Sequence, residues 1–239
     1  MDNKNERISL LWTGGWDSTF RLLQLLFVEN LPVQTTYIID LQRRSTHREL
    51  EAMAGIRGEI LRRLNDPDFF PPTNIYLKDH FPCYPDIAEA HKRIRASTTI
   101  GKQYEWLACY ARFTDLSDIE LCMHWLEPLP SLHKYIFDNV DLENRRTATL
   151  NPSHDVQCIF GRFKFPLLHF TKAEMGEHAE NNGFLDVLQQ SWFCHKPILG
   201  KPCGSCTPCR VSIEQGRNIK YSRLTKFTTK ISFLRRMLR

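Results

Sequence analysis

The feature that most constrains this chain is the stretch "ISLLWTGGWDSTFRLL", Ile8 to Leu23. Its first part, Ile8 to Trp12, is a short apolar run that reads as a buried strand. Two glycines and a polar Asp-Ser-Thr step follow. Apolar residues then return at helical spacing, with Phe20, Leu23, Leu26 and Phe27 on one face. A strand that turns directly into an amphipathic helix is the first half of a βαβ unit, which a second, parallel strand completes.

The rest of the chain continues that alternation. "VQTTYIID" is β-branched and aromatic, a second strand ending at Asp40. "STHRELEAMAGIRGEILRRL" is an amphipathic helix. After the proline-rich break "DPDFFPPTN", "NIYLKD" reads as a third strand. "YEWLACYARFTDL" is helical and "DIELCMHWL" a fourth strand. The stretch "EPLPSLHKYIFDNVDLENRRTATLNPSHD" has no clean periodicity and reads as a long irregular region with at most one helical turn. "QCIFGRFKFPLLHF" holds a fifth strand. "TKAEMGEHAENNG" carries Thr171, a Glu three residues later and a closing Asn-Gly, the pattern of a short helix with a capping box. The expected fold class is α/β, a Rossmann-like parallel sheet whose ligands lie beyond the carboxyl ends of the strands.

The glycine turn lies at such an end. Glycines there allow positive φ and let the backbone approach a ligand. The first amides of the next helix lack intrahelical partners, and the helix dipole adds positive charge, so phosphate is the natural occupant. A glycine turn with a capped helix is also a common structural device. Asp17, Ser18 or Thr19 can cap the helix. Thr13, Gly14, Gly15, Ser18 and Thr19 are the candidate phosphate-binding residues, with Leu11 at the strand end beside them. Asp17, an anion, suits a magnesium ion held directly or through water. No Gly-Lys-Ser/Thr follows at Walker A spacing, and no third glycine completes a dinucleotide fingerprint.

The polar start "MDNKNERISL" and the lack of any apolar run long enough to span a bilayer point to a cytoplasmic protein without membrane contact. In a reducing compartment clustered cysteines indicate metal, not disulfides. Of eight cysteines, Cys83, Cys109, Cys122 and Cys158 are scattered and read as small buried apolar side chains. The other four, in "CHKPILGKPCGSCTPC", have the spacing C-x8-C-x2-C-x2-C: Cys194, Cys203, Cys206 and Cys209. They suit a closed four-thiolate zinc site that stabilises but does not catalyse; iron–sulfur ligation fits the same spacing. His195 is a fifth candidate ligand, though four cysteines suffice.

Charge is uneven. Residues 217–239 carry eight Lys or Arg and no Asp or Glu, whereas the preceding 216 residues carry 24 basic and 27 acidic side chains. Such a tail either contacts nucleic acid, a phosphate-rich partner or an acidic protein surface, or is a solvated basic helix end. The domain reading is 1–190 nucleotide-binding and catalytic, 191–216 zinc-binding, and 217–239 basic tail.

"Thr-Gly-Gly-Trp-Asp-Ser-Thr", Thr13 to Thr19, resembles the pyrophosphate-loop (PP-loop) signature of the ATP pyrophosphatases, Ser-Gly-Gly-x-Asp-Ser, with Thr13 keeping the hydroxyl. Together with the cysteine spacing, in this order, the chain resembles the 7-cyano-7-deazaguanine synthases, the QueC family, over most of its length. Asp40, Gln42, Arg43 and His47 match that family's segment after strand 2. Gly101 to Gln103 resembles a Gly-Arg-Asn turn with Lys102 for Arg, and "FPLLHFTKAE" puts Lys172 at the matching lysine. The resemblance implies an adenine nucleotide α-hydrolase fold with ATP, magnesium and zinc. It implies that the carboxylate of 7-carboxy-7-deazaguanine is adenylated and attacked by ammonia, and that a second ATP-dependent step yields the nitrile. Asp17, Lys172, Arg43 and Lys102 are then the catalytic candidates, the last three by neutralising phosphate charge. Asp40 and Gln42 join the nucleotide site, and His47 the substrate site.

After strand 4 the family carries an Asp and then Ser-Gly-Tyr-Pro-Asp near the base. This chain has "CMHWLEPLPSLHKYIFDN", where His124, Trp125 and Glu127 are candidates to read a base by stacking and edge hydrogen bonds. That departure and the basic tail support a second reading: a relative repurposed for anti-phage defence, conjugating the activated base to a protein or nucleic-acid amine. A regulatory nucleotide-binding module without catalysis is disfavoured by the retained Gly14, Gly15, Asp17, Ser18 and Lys172. A homodimer is compatible with either enzyme reading.

Overall fold

The computed structural model describes residues 7–124, 131–138 and 153–214. Trp125, Glu127 and the basic tail lie outside the described residues. Five strands form the sheet: β1 (Ile8–Leu11), β2 (Val33–Ile39), β3 (Asn74–Leu77), β4 (Ile119–Glu120) and β5 (Phe163–Lys164). Their order is β3-β2-β1-β4-β5 and every neighbouring pair is parallel. The chain therefore winds outward from β1 to one edge, returns, and winds outward to the other, the Rossmann-like pattern the alternation implied. The reversal falls between β1 and β4, where Leu10 pairs with Glu120.

The two-residue period of the strands explains how both faces are buried. In β1 and its extension, Leu10 and Trp12 join one core and Leu11 the other; in β2, Tyr37 and Ile38 divide the same way. The first core is closed by α1 (Trp16–Leu23), α2 (Thr46–Arg63), α7 (Lys172–Asn181) and α8 (Leu185–Leu188), through Phe20, Ile56, Met175 and Val187. The second is closed by α3 (Pro85–Ser97), α4 (Gln103–Phe113), α5 (Ser131–Phe137) and α6 (His154–Phe160), through Ile94, Leu107, Ile136 and Phe160. A last helix, α9 (Thr207–Glu214), follows the third clustered cysteine.

Several elements differ from the sequence expectation. The fourth strand is two residues long, because after Glu120 the chain leaves the ladder to line the sheet's carboxyl end. In "QCIFGRFKF" the first four residues finish α6, and only Phe163–Lys164 are strand. α3 begins at Pro85, in its first turn, in a stretch between the third strand and the next helix to which the sequence reading assigns no element. The capping box is present: Thr171 Oγ1 accepts from the Glu174 amide at 3.2 Å, and Glu174 Oε2 accepts from the Thr171 amide at 2.7 Å.

One buried ion pair ties the reversal together. Arg21 donates from Nε to Glu120 Oε2 at 2.7 Å and from Nη2 to Glu120 Oε1 at 2.8 Å, linking α1 to β4. After α1 the helix widens into a π-helical turn, Gln24–Val28. That extra residue brings Glu29 Oε1 to 2.5 Å from Arg21 Nη1. Among the described residues no helix is long and apolar enough to cross a membrane.

Candidate functional site

The turn after β1 is built by its glycines. Gly14 sits at φ +67°, and a Cβ there would meet Met53 Cγ at 2.9 Å and the Glu49 carbonyl oxygen at 3.1 Å. Only glycine lets the turn lie this close to α2. Gly15 is the N-cap of α1 in extended conformation, and no side chain caps the helix. The expected caps are absent for a physical reason in at least one case: Thr19 is fully buried and its Oγ1 accepts from Trp12 Nε1 at 3.1 Å. Thr19 therefore holds the core and does not face a ligand, a correction to its phosphate-binding reading. The helix start carries no side-chain cap, so its first amides are open to an anion.

This start opens on a cavity of about 220 Å³ lined by Leu11, Thr13, Gly15, Asp17, Ser18 and Cys122, among others. A second cavity of about 680 Å³ is lined by Asp40, Gln42, Lys78, Lys102 and Glu105 among others. Arg43, Gln103 and Trp106 line both, so the two adjoin. Together they cover the carboxyl ends of the strands at the point where strand order reverses, the usual place for a ligand in such a sheet.

Asp17 is the most constrained group in the site. Its Oδ2 accepts from His124 Nδ1 at 3.0 Å, and Lys172 Nζ, from the first turn of α7, lies 3.6 Å from Oδ1. Oδ1 is buried and has no hydrogen-bond partner. Burial alone would raise the carboxyl pKa, but His124 and Lys172 outweigh it and hold it below its ordinary 3.8. An ionised carboxylate whose Oδ1 is ion-paired with Lys172 but accepts no hydrogen bond fits a divalent cation. Beside it, burial raises the Cys122 thiol well above its usual range, so this wall is a neutral sulfur.

Arg43 is steered by a buried carboxylate that sequence reading did not single out. Glu49 accepts from Tyr37 OH at 2.6 Å and Ser45 Oγ at 2.7 Å, and its Oε2 lies 3.8 Å from Arg43 Nη1. Burial, then Glu49, raise the Tyr37 phenol above its ordinary 10.0, keeping it a donor. The only local hint was Ser45 and Glu49 four apart in a helix start. Asp40 is held by Lys78 Nζ at 2.6 Å and by the Gln42 amide at 3.0 Å, which joins the ends of β2 and β3. Lys78 and Trp106 are further lining residues that sequence reading passed over.

Not every candidate reaches the cavities. The His47 side chain is 82% exposed and lies 3.2 Å from Glu51 on the outer face of α2; its place in the first exposed turn turns it away from the sheet. His124, read as a base contact, meets Asp17 instead. Cys83, read as buried, is exposed and lines the larger cavity.

The cysteine cluster forms a compact centre. The sulfurs of Cys194, Cys203, Cys206 and Cys209 all lie within 4.8 Å of one another, and the group can hold a metal ion such as zinc. The Cys203–Cys209 and Cys194–Cys206 sulfur separations are 3.9 and 4.0 Å, close to the ~3.8 Å edge of a tetrahedron with zinc–sulfur bonds of about 2.3 Å. Backbone amides aim at the sulfurs: Cys203 N at 3.2 Å from Cys194 Sγ, and Cys206 N at 3.3 Å from Cys203 Sγ. Hydrogen bonding from Cys209 pulls Cys194 down to about 5. Burial would raise Cys203, yet the Ser205 hydroxyl and nearby amides lower it. The same Cys194 contact raises Cys209, and burial raises Cys206, so the amide donors favour the thiolate at Cys194 and Cys203.

No protein-family model matches the chain, and no curated protein matches it by sequence. What the site can do is therefore read from its residues. The centre also braces the glycine turn, since the Trp192 amide donates to the Gly14 carbonyl at 2.8 Å and Trp192 Nε1 to the Cys194 carbonyl at 2.7 Å. Trp192 thus ties the cysteine cluster to the glycine turn.

Proposed function

We propose that this protein is an ATP-dependent carbon–nitrogen ligase with a pyrophosphate-loop site. It adenylates the carboxylate of 7-carboxy-7-deazaguanine or a closely related base and passes the acyl group to ammonia. The observation that carries the reading is Asp17, bracketed by Lys172 on Oδ1 and His124 on Oδ2 at the uncapped start of α1.

In this reading the turn amides and the Thr13 and Ser18 hydroxyls hold the pyrophosphate end of ATP. The substrate carboxylate oxygen attacks the α-phosphorus as the bond to pyrophosphate breaks. Lys172, from the start of α7, offsets charge on the departing phosphates, as do Arg43 on the shared wall of the two cavities and Lys102 in the larger one. Ammonia then attacks the acyl carbon, AMP leaves with the carboxylate oxygen, and the nitrogen loses a proton. A magnesium ion at Asp17 would supply further phosphate neutralisation when bound. The four thiolates hold zinc as a structural ion.

The test is pyrophosphate and AMP release from ATP with and without the deazaguanine acid and ammonium. Equimolar AMP and pyrophosphate that require the acid, with an amide or nitrile product by mass, support the reading. ATP turnover that ignores the acid, or none at all, would sink it. Acid-dependent turnover that instead adds mass to a protein amine would replace ammonia as acceptor.

A further inference from the structure

One wall of the larger cavity is a single face of α4, and the reaction above leaves most of it unused. Gln103, Glu105, Trp106 and Cys109 line the cavity from that helix, at spacings of three and four residues. Gln103 and Trp106 line the smaller cavity as well.

Among the described residues three carboxylates line the larger cavity: Asp40, Asp79 and Glu105. Asp40 is already held by Lys78 and the Gln42 amide. Asp79 is exposed, in the short turn after β3. Glu105 is half-buried and braced from behind. His91 of α3, 3% exposed, places Nδ1 3.4 Å from Glu105 Oε2 and Nε2 3.1 Å from the Gly101 carbonyl oxygen. Among the described residues Glu105 Oε1 makes no hydrogen bond.

What such a group can read is limited. An ionised carboxylate accepts hydrogen bonds and donates none. The edge of a guanine-type ring offers two adjacent donors, N1–H and the 2-amino group, and one carboxylate can accept from both. The same edge of adenine carries a lone pair at N1, which a carboxylate repels, so the adenine of ATP is rejected at this position. Next to Glu105, Trp106 brings an indole to the wall common to both cavities, a surface on which a flat ring can stack.

We infer that Glu105 is the specificity-determining residue for the base. It accepts from the N1–H and 2-amino group of a guanine-type ring, Trp106 stacks on that ring, and His91 is the positioning residue that fixes Glu105. The inference rests on the ligase reading and deepens it. The six-membered ring points its donor edge into the larger cavity. The five-membered ring carries the carboxylate toward the glycine turn.

The test is calorimetric binding, to the full, metal-loaded chain, of 7-carboxy-7-deazaguanine, its analogue without the 2-amino group, and the corresponding 7-deazaadenine acid. The wild type is expected to prefer the first by about tenfold or more. Glu105→Gln keeps the side-chain shape but can donate as well as accept. It is expected to lose most of that preference and to bind the adenine-type acid more tightly, with Tm and metal content kept. His91→Gln is expected to lower the same ratio, which a general loss of stability leaves unmoved. Trp106→Ala should weaken all three acids about tenfold, and Trp106→Phe should restore them. A wild-type preference in Glu105→Gln, a loss of ATP affinity there in place of base preference, or equal binding of the three acids by the wild type would overturn this inference and leave the ligase reading standing. A wild type that binds none of the acids would overturn both.

Discussion

The pair that joins α1 to β4 offers a quantitative check on how the site is held. Arg21 and Glu120 side chains are 8% and 7% exposed and make two hydrogen bonds of 2.7 and 2.8 Å. Glu120→Leu removes one partner and leaves the guanidinium buried. Breaking a buried pair this way costs about 3–5 kcal/mol. Arg21 keeps Glu29 at 2.5 Å and Gln24 at 2.9 Å, and Glu29 is 33% exposed, which puts the expected loss at the low end, about 3 kcal/mol. The double variant Arg21→Met with Glu120→Leu leaves no charge stranded and is expected to recover most of that loss. Urea unfolding with an unchanged m-value measures both. β4 is only two residues long and leads straight to Cys122 and His124. The single variant is therefore also expected to loosen the His124–Asp17 contact and to lose ATP turnover beyond the fraction unfolded. A loss under about 1 kcal/mol, or a double variant no better than the single, would refute the argument.

Three further outcomes follow. Gly14→Ala forces an L side chain to φ +67° against Met53 and Glu49; it is expected to lose about 1–2 kcal/mol or more, read by thermal unfolding, and to raise the KM for ATP. Elemental analysis should find one zinc ion per chain; stripping it with a strong chelator should free four titratable thiols and weaken ATP binding, through the Trp192–Gly14 hydrogen bond. Partial burial would raise the Asp40 carboxyl pKa, but Lys78 and the Gln42 amide lower it from 3.8. The stability this pair adds is full above that unfolded value and is lost as pH falls through the lower folded one, so Asp40→Asn should flatten the acid limb of a Tm-against-pH curve.

Legibility in the sequence followed the range of each interaction. The strand–glycine–helix start, the capped helix at Thr171 and the four cysteines were readable because periodicity, capping and ligand spacing are local. The parallel sheet followed from alternation. α3 carries a local signal of its own, Pro85 in its first turn with Ile87, Ala90, His91 and Ile94 at helical spacing, to which the sequence reading assigns no element. β4 was drawn too long because an apolar run does not show where a ladder ends. His124 and Asp17 are 107 residues apart, and only the reversal of strand order brings them together. Thr19 was misassigned because a hydroxyl near a phosphate-type turn looks the same in sequence whether it faces the ligand or the core.

In the proposed reaction Asp17 serves acid-dependent cleavage of ATP to AMP and pyrophosphate. The most direct measurement is pyrophosphate release by the wild type and Asp17→Asn, with 7-carboxy-7-deazaguanine present and absent. Release is expected to require the acid and to fall by a factor of about 100 or more in the variant, with metal content and Tm preserved. Release by Asp17→Asn at the wild-type rate, or none from the wild type with the acid present, would contradict it.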